Sequence, residues 1–332
     1  TGSRPLALPG NPFAGALIDS TQALELNTLP SSAVIIGAGA VALEFASLWN
    51  AAGCEVTLLI RKDRVLSTWE RRASMTLTRE LKRRGVNVIA RTAVDRVDTG
   101  ANLGATVHYR QGDSDEDRTA YGEVVLAAIG RVPNTDADWF RSSGLKLDER
   151  GYVTVDGYGR TNLDGVWALG DITPGHALAH RAFEQGITIA EKIAGADPKP
   201  VIDDTVPQVV FSFPEAASVG LTLDQAKARE DVVEPKETAY PMLSNARMLM
   251  SGEGGSMTVV SGAFANNPDM QVVLGVHIVS PIASDLIAEA EQLVGNRIPL
   301  ADAARLIHPH PTFSETLGEA LLKADGRPLH TR

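Results

Sequence analysis

The chain has one cysteine, Cys54, in 332 residues. A single cysteine excludes an intrachain disulfide, and it fits a reducing cytoplasm. No apolar run reaches the roughly 18–20 residues that a membrane-spanning helix needs. The first residues, Thr1-Gly2-Ser3-Arg4-Pro5, lack the charged-then-apolar pattern of a signal peptide. They also lack an initiator Met, so a fragment or a processed product is expected. An excess of positive charge is missing too. The net charge of −10 argues against a general binder of nucleic acid or of anionic membranes. Hydrophobic content of 44% and charged content of 22% are ordinary for a soluble globular protein. The length calls for two or three domains.

Residues 1–30 are rich in Pro and Gly and read as a connecting segment. Ala33-Val34-Ile35-Ile36 reads as a buried strand, and a helix is expected from about Val41 to Ala52 with Gly53 as its cap. A second strand is expected at Glu55–Ile60, an amphipathic helix at 74–84 and a strand at 86–89. Further strands are expected at 94–110 and 120–129, with a hairpin turn at the acidic tip Asp113–Asp117. This alternation predicts a parallel α/β sheet. Two short strands, Tyr152–Val155 and Val166–Leu169, and a helix at 177–194 follow. Asp197-Pro198-Lys199-Pro200 marks a linker. Beyond it, strands are expected at 207–220, 237–249, 257–265 and 271–280. Helices are expected at 222–229, 283–295, 300–306 and 314–323. That part reads as an α+β domain with an antiparallel sheet. The chain holds no repeat and no low-complexity tract.

The loop Gly37-x-Gly39-x-x-Ala42 follows a strand and opens a helix. Gly37 permits the tight turn, Gly39 lets the backbone approach a pyrophosphate, and Ala42 allows close helix–strand packing. With strand, helix and second strand all in place, the loop points to a dinucleotide. The bland alternative is a Gly-rich turn in an unrelated sheet. The end of the second strand would normally carry the acidic residue that bonds the NAD ribose 2′-OH. Here that position is Ile60, followed by Arg61, Lys62 and Arg64. On chemistry alone, the three cations Arg61, Lys62 and Arg64 favour NADP over NAD, against a solvated basic turn.

Near the other end stands His308-Pro309-His310-Pro311-Thr312-Phe313-Ser314-Glu315. A carboxylate five residues after an imidazole can orient it and hold its basicity, the arrangement a general acid–base needs. His310 and Glu315 are the expected catalytic pair, and His308 is expected to be structural. Cys54, alone at a strand start, reads as a small buried hydrophobe. No metal site is expected.

This last segment resembles the active-site stretch of the dihydrolipoamide dehydrogenases, which belong to the FAD-dependent disulfide reductases. Thr161-Asn162-Leu163-Asp164-Gly165-Val166-Trp167-Ala168-Leu169-Gly170-Asp171 resembles the family's second FAD signature. Gly130-Arg131-x-Pro133-Asn134 lies at the expected distance before it. Leu178-Ala179-His180 also looks like the lipoamide enzymes, whereas Ile60-Arg61 is similar to the NADP loop of the glutathione reductases.

The resemblance covers essentially the whole chain. It implies a Rossmann-like α/β nucleotide-binding domain, a residual FAD and central segment, and a C-terminal α+β interface (dimerisation) domain. The implied division is 1–30 residual FAD-domain segment, 31–150 NAD(P)-binding domain, 151–200 central segment and 201–332 interface domain. It implies Asp171 as a ligand of the FAD ribityl hydroxyls and Glu44 as the partner of a flavin-side Lys. Gly130, Leu178, Ala179 and His180 are placed near the cofactors, with the helix start at 178–180 stabilising a reduced flavin. It further implies FAD in the intact protein, NAD or NADP as coenzyme, a homodimer, and dihydrolipoamide or a lipoyl-carrier protein of a 2-oxoacid dehydrogenase complex as partner. The family's Cys-x-x-x-x-Cys pair and the FAD domain that carries it are missing here. This chain alone is therefore expected to have no lipoamide activity. An NADPH-dependent disulfide or quinone reductase, a mycothiol- or glutathione-type reductase, and a non-catalytic nucleotide-binding and dimerisation module are the alternatives.

Overall fold

In the computed structural model, which describes residues 1–100 and 104–331, the chain forms two compact units. The larger comprises Ala7–Ile129 and Pro207–Arg332, and the smaller Thr1–Leu6 and Gly130–Val206.

A five-stranded parallel sheet anchors the larger unit, in the order Leu17–Ile18, Val124–Ala127, Ser32–Ile36, Glu55–Ile60, Asn87–Ala90. Ala33 to Ile36 are buried in succession, as in a strand covered on both faces. Helix Ala40–Ala51 follows the central strand, within one residue of expectation, and Gly53 leaves it with φ +91°. Helix Arg71–Arg83 begins earlier than the expected 74, because Glu70 caps it by accepting from Arg72 and Ala73 N–H. Residues 1–30 do more than connect: Leu17–Ile18 is an edge strand, and Asp19 and Gln22 form a capping box on helix Ser20–Leu24.

The expected strand 94–110 is two strands, Thr92–Thr99 and Ala105–Gln111, which pair with Arg118–Gly122 in a three-stranded antiparallel sheet. Residues 101–103 of that expectation lie outside the described residues. The acidic tip between the last two strands is a turn, as expected.

The C-terminal part of the same unit is an antiparallel sheet in the order Gln208–Val210, Glu215–Gly220, Asn267–Ser280, Ser256–Phe264, Val232–Pro241. Helices Ala283–Gly295 and Glu315–Ala324 pack on it through Leu286, Ile287, Leu317 and Leu321, against Tyr240, Met257 and Ile278. Burying each such side chain contributes about 1.5–3 kcal/mol. The expected strand 237–249 ends at Pro241. Asn245 then caps a helix, Ala246–Ser251, and Gly252 closes it in the left-handed conformation.

The smaller unit has a modest core of Phe140, Val153 and Ala168. Ser3–Pro5 pairs antiparallel with Arg131–Pro133. The two strands expected between 151 and 170 are isolated bridges, Leu147 with Val153 and Arg160 with Trp167. Helix Ala179–Ile193 closes the unit. No helix among the described residues is long and apolar enough to cross a membrane.

Candidate functional site

The Gly37–Ala42 loop is explained position by position. Gly37 has φ +144°, and a Cβ there would collide with the Ala128 carbonyl oxygen. Only glycine fits. Ala42 is fully buried between its helix and the sheet core, so a larger side chain there would push helix from strand. Gly39 is different. Its φ of −92° suits any residue, and a Cβ would meet nothing within 4 Å. The fold does not ask for glycine at 39, so the open space above it is the reason left. Gly39 is also the N-cap of Ala40–Ala51 and no side chain caps that helix. The first-turn N–H groups are left for an anion, and the helix dipole favours one. A pyrophosphate fits this arrangement.

The turn after strand Glu55–Ile60 is tied to the loop, since Leu66 N–H donates to the Ala38 carbonyl at 2.9 Å. Arg64 is committed to the turn through Asp63 at 3.0 Å and the Ser67 carbonyl at 3.1 Å. Arg61 and Lys62 are exposed, with no ion pair among the described residues. Glu44 accepts the Phe211 N–H at 3.0 Å.

In the smaller unit, Asp171 lies in a short 3₁₀ turn, Gly170–Ile172, opened by Gly170 at φ +69°. Its Oδ2 accepts from the Ser3 hydroxyl at 2.5 Å. Arg131 in turn donates to the Ser3 hydroxyl and the Ser3 carbonyl, each at 2.7 Å. A half-buried carboxylate with one oxygen fixed and lone pairs to spare suits a ligand's vicinal hydroxyls, so Asp171 fits a flavin ribityl chain. Gly130, at φ +147°, accepts the Leu6 N–H at the start of this strand pair. Leu178 is the N-cap of Ala179–Ile193 and brings no side-chain cap, so Leu178, Ala179 and His180 present a bare helix start. Sequence reasoning missed Ser3 as the anchor of Asp171. The two stand 168 positions apart, and no local signal joins them.

The pair His310–Glu315 belongs to the larger unit. Glu315 opens helix Glu315–Ala324, and its Oε1 lies 2.9 Å from His310 Nδ1. Its Oε2 accepts the Thr312 N–H at 2.7 Å. Thr312, not anticipated from the sequence, thus fixes the carboxylate that fixes the imidazole. Desolvation pushes the Glu315 carboxyl up, but the Thr312 N–H, the His310 hydrogen bond and the charges of His310 and His308 outweigh it. The carboxyl is held below its usual value. The His310 side chain is 73% exposed, so with Nδ1 on Glu315 its Nε2 is open to exchange a proton with a substrate. His308 is anchored elsewhere, its Nε2 3.0 Å from Glu289 Oε1. That bond raises its pKa, against burial. Cys54 is buried, and burial first, then Glu123 and Glu55, pushes its thiol up to about 11. It stays protonated at neutral pH and cannot serve as a nucleophile.

Comparison with known proteins identifies the family. The family model for the pyridine nucleotide-disulphide oxidoreductases matches residues 1–186, and that for their dimerisation domain matches residues 206–321. Dihydrolipoyl dehydrogenases from Cupriavidus necator and Geobacillus stearothermophilus are each 37% identical to the chain, over 99% of it and 68% of their own length. Among solved structures, LpdA from Mycobacterium tuberculosis superposes with a TM-score of 0.85 at 29% identity, covering 98% of this chain and 68% of that one. The HOCl-induced flavoprotein disulfide reductase RclA from Escherichia coli follows at 0.84 and 25%, covering 97% and 72%. A glycine loop with one position shaped for something outside the fold, and an imidazole held outward by its carboxylate, stand within that likeness: the chain belongs to the pyridine nucleotide-disulphide oxidoreductase family.

Proposed function

We propose that this chain is the coenzyme-binding and interface portion of a dihydrolipoamide dehydrogenase, an oxidoreductase that passes electrons from a dithiol to NAD(P)+. The observation that carries the reading is the His310–Glu315 pair, with its exposed imidazole. Nε2 of His310 takes the proton of a dihydrolipoamide thiol, and the resulting thiolate is the form that enters thiol–disulfide exchange. Glu315, held by the Thr312 N–H, orients the ring and stabilises the imidazolium. Bound FAD supplies the two-electron relay between thiols and pyridine nucleotide. Asp171 would hold its ribityl hydroxyls, with Gly130 and the helix start Leu178-Ala179-His180 beside it. Gly37, Gly39 and Ala42 hold the coenzyme pyrophosphate, and Arg61 and Lys62 flank its ribose.

The acceptor disulfide is a cysteine pair, and Cys54 cannot provide it. We therefore assign no lipoamide turnover to these 332 residues alone. The match to a dimerisation domain supports a homodimer in which His310 serves the cysteines of the second copy. The names of the relatives support a lipoyl-carrier protein of a 2-oxoacid dehydrogenase complex as partner. The lone buried thiol fits a cytoplasmic setting. The division into a segment 1–30, a coenzyme domain 31–150, a central flavin segment 151–200 and an interface domain 201–332 belongs to the same proposal.

A second reading, an NADPH-dependent disulfide or quinone reductase, is favoured by one observation, the exposed cations Arg61 and Lys62, which form no ion pair among the described residues. A chimera separates the two. The part of the Cupriavidus necator enzyme that this chain does not cover is joined ahead of Thr1. Dihydrolipoamide oxidation is then compared with reduction of disulfides and quinones by NADPH. Faster dihydrolipoamide turnover is expected. Turnover confined to the NADPH-driven direction would replace the lipoamide reading with the reductase.

A further inference from the structure

We propose that Arg91 is the third cation of a subsite for the ribose 2′-phosphate of NADP(H), formed with Arg61 and Lys62, and that it sets the coenzyme choice. This rests on the coenzyme reading of the Gly37–Ala42 loop.

Strands Glu55–Ile60 and Asn87–Ala90 are parallel neighbours and end level, with Ile60 paired to Ala90. The next residue on each is an arginine. Arg61 and Arg91 therefore leave adjacent strands about 5 Å apart at the backbone. They leave at the carboxyl edge of the sheet, the edge from which the Gly37 loop also departs and at which such sheets bind ligands. The two exits are stitched together. Arg91 N–H donates to the Lys62 carbonyl at 3.0 Å, and the Thr92 hydroxyl donates to the Ile60 carbonyl at 3.1 Å.

The conformation of Arg91 is the second observation. Its φ is +57°, in the left-handed region that glycine enters without strain and arginine does not. Both main-chain groups are in use, since the Arg91 carbonyl accepts the Gly112 N–H at 2.8 Å. The backbone requires the left-handed turn, and glycine would meet that requirement better. The arginine side chain is exposed and makes no ion pair among the described residues. A strained position that keeps a side chain the fold does not use points to a ligand.

The chemistry selects that ligand. Ile60 stands where an acidic residue would receive a 2′-hydroxyl. Asp63, the acid of the turn, is held by Arg64 at 3.0 Å. Among the described residues, Arg61, Lys62 and Arg91 make no ion pair, in a chain of net charge −10. Two arginines and a lysine leaving neighbouring strand ends suit a phosphate dianion, which arginine can bind in a two-pronged manner.

The test is isothermal titration of the 332-residue chain with adenosine 2′,5′-bisphosphate, with 5′-AMP and with inorganic phosphate. The bisphosphate is expected to bind at least about tenfold tighter than 5′-AMP, a preference that falls as salt is raised. Arg91→Gly should remove most of that preference, leave 5′-AMP binding unchanged and hold or raise the melting temperature, because glycine relieves the left-handed strain. Arg91→Gln, which keeps the side-chain length, should lose the preference as well. Equal affinity of the wild type for bisphosphate and 5′-AMP would overturn the proposal. So would an unchanged preference in both variants, or inorganic phosphate binding as tightly as the bisphosphate. If neither nucleotide bound, the coenzyme reading would fall and the proposal with it.

Discussion

The Gly37–Ala42 loop and the His310–Glu315 pair lie in the same compact unit but are made differently. The loop is backbone. Gly37 is fixed by a left-handed φ and by the Ala128 carbonyl, so site and fold cannot be separated there. The pair is side chain. His310 is exposed and touches the fold chiefly through Glu315, so it can be removed with the fold intact. The difference teaches which substitutions report on function. A change at a backbone-made site lowers stability and binding together, and its loss of activity means little. A change at a side-chain site isolates the chemistry. Gly39 crosses the division: it belongs to the loop, yet only the space outside the fold explains it.

The largest effect tests the backbone side. Gly37→Ala drives a Cβ into the Ala128 carbonyl at a φ that alanine avoids, and should cost about 3 kcal/mol or more in a denaturant melt. A variant as stable as the wild type would show that the strand–loop–helix is not held as described. Next comes Gly39→Ala. Nothing crowds the added methyl, so stability should change by less than about 1 kcal/mol. NADPH or NADH binding should weaken by roughly tenfold or more, because the pyrophosphate loses its close approach to the helix start. Unchanged binding in a titration would remove the ligand explanation of that glycine.

A smaller effect concerns the anchor beside the His310–Glu315 pair. The His308 pKa is raised by its bond to Glu289, so the pair stabilises the fold below the ordinary imidazole value. That contribution is lost as pH rises through the raised value. Glu289→Gln should therefore cost about 1 kcal/mol in mildly acid solution and less in alkaline solution, read as melting temperature against pH. A constant cost across pH would mean that the charge on His308 plays no part.

The smallest effect is at Glu315. Its carboxyl is held below the usual range, so its contribution is present above the ordinary carboxylate value. It fades as pH falls through the depressed value. Wild type and Glu315→Gln should then melt alike in strong acid and diverge slightly toward neutrality. Divergence in the opposite sense would contradict the assignment of Glu315 as the held anion.

Much of this could be read in advance where the signal was local. The parallel strands are continuous apolar runs, because both faces are covered. Strand Glu55–Ile60 and helix Ala283–Gly295 fall on their expected limits. His310 and Glu315 are five residues apart, within reach of one loop and a helix start. Long-range partners left no trace. Ser3 meets Asp171 across 168 positions, and Arg91 meets the basic turn only because two strands end level. At 237–249 the apolar run concealed a boundary that Asn245 and Gly252 mark as a helix start and stop. Along this stretch the hydrophobic run is a stronger signal than the caps. In the smaller unit the expected strands are single bridges, because turns at Gly151, Gly159 and Gly165, all with positive φ, break the chain before a ladder can form.

The most direct measurement is a paired one on His310→Gln in the chimera with the Cupriavidus necator segment. The kcat for dihydrolipoamide oxidation and the melting temperature are read on the same preparation. The account predicts a fall in kcat of roughly 10²–10⁴ at an unchanged melting temperature, as for loss of a general acid–base from an exposed site. A kcat within about twofold of the wild type would contradict it, because the imidazole would then move no proton in the rate-limiting chemistry.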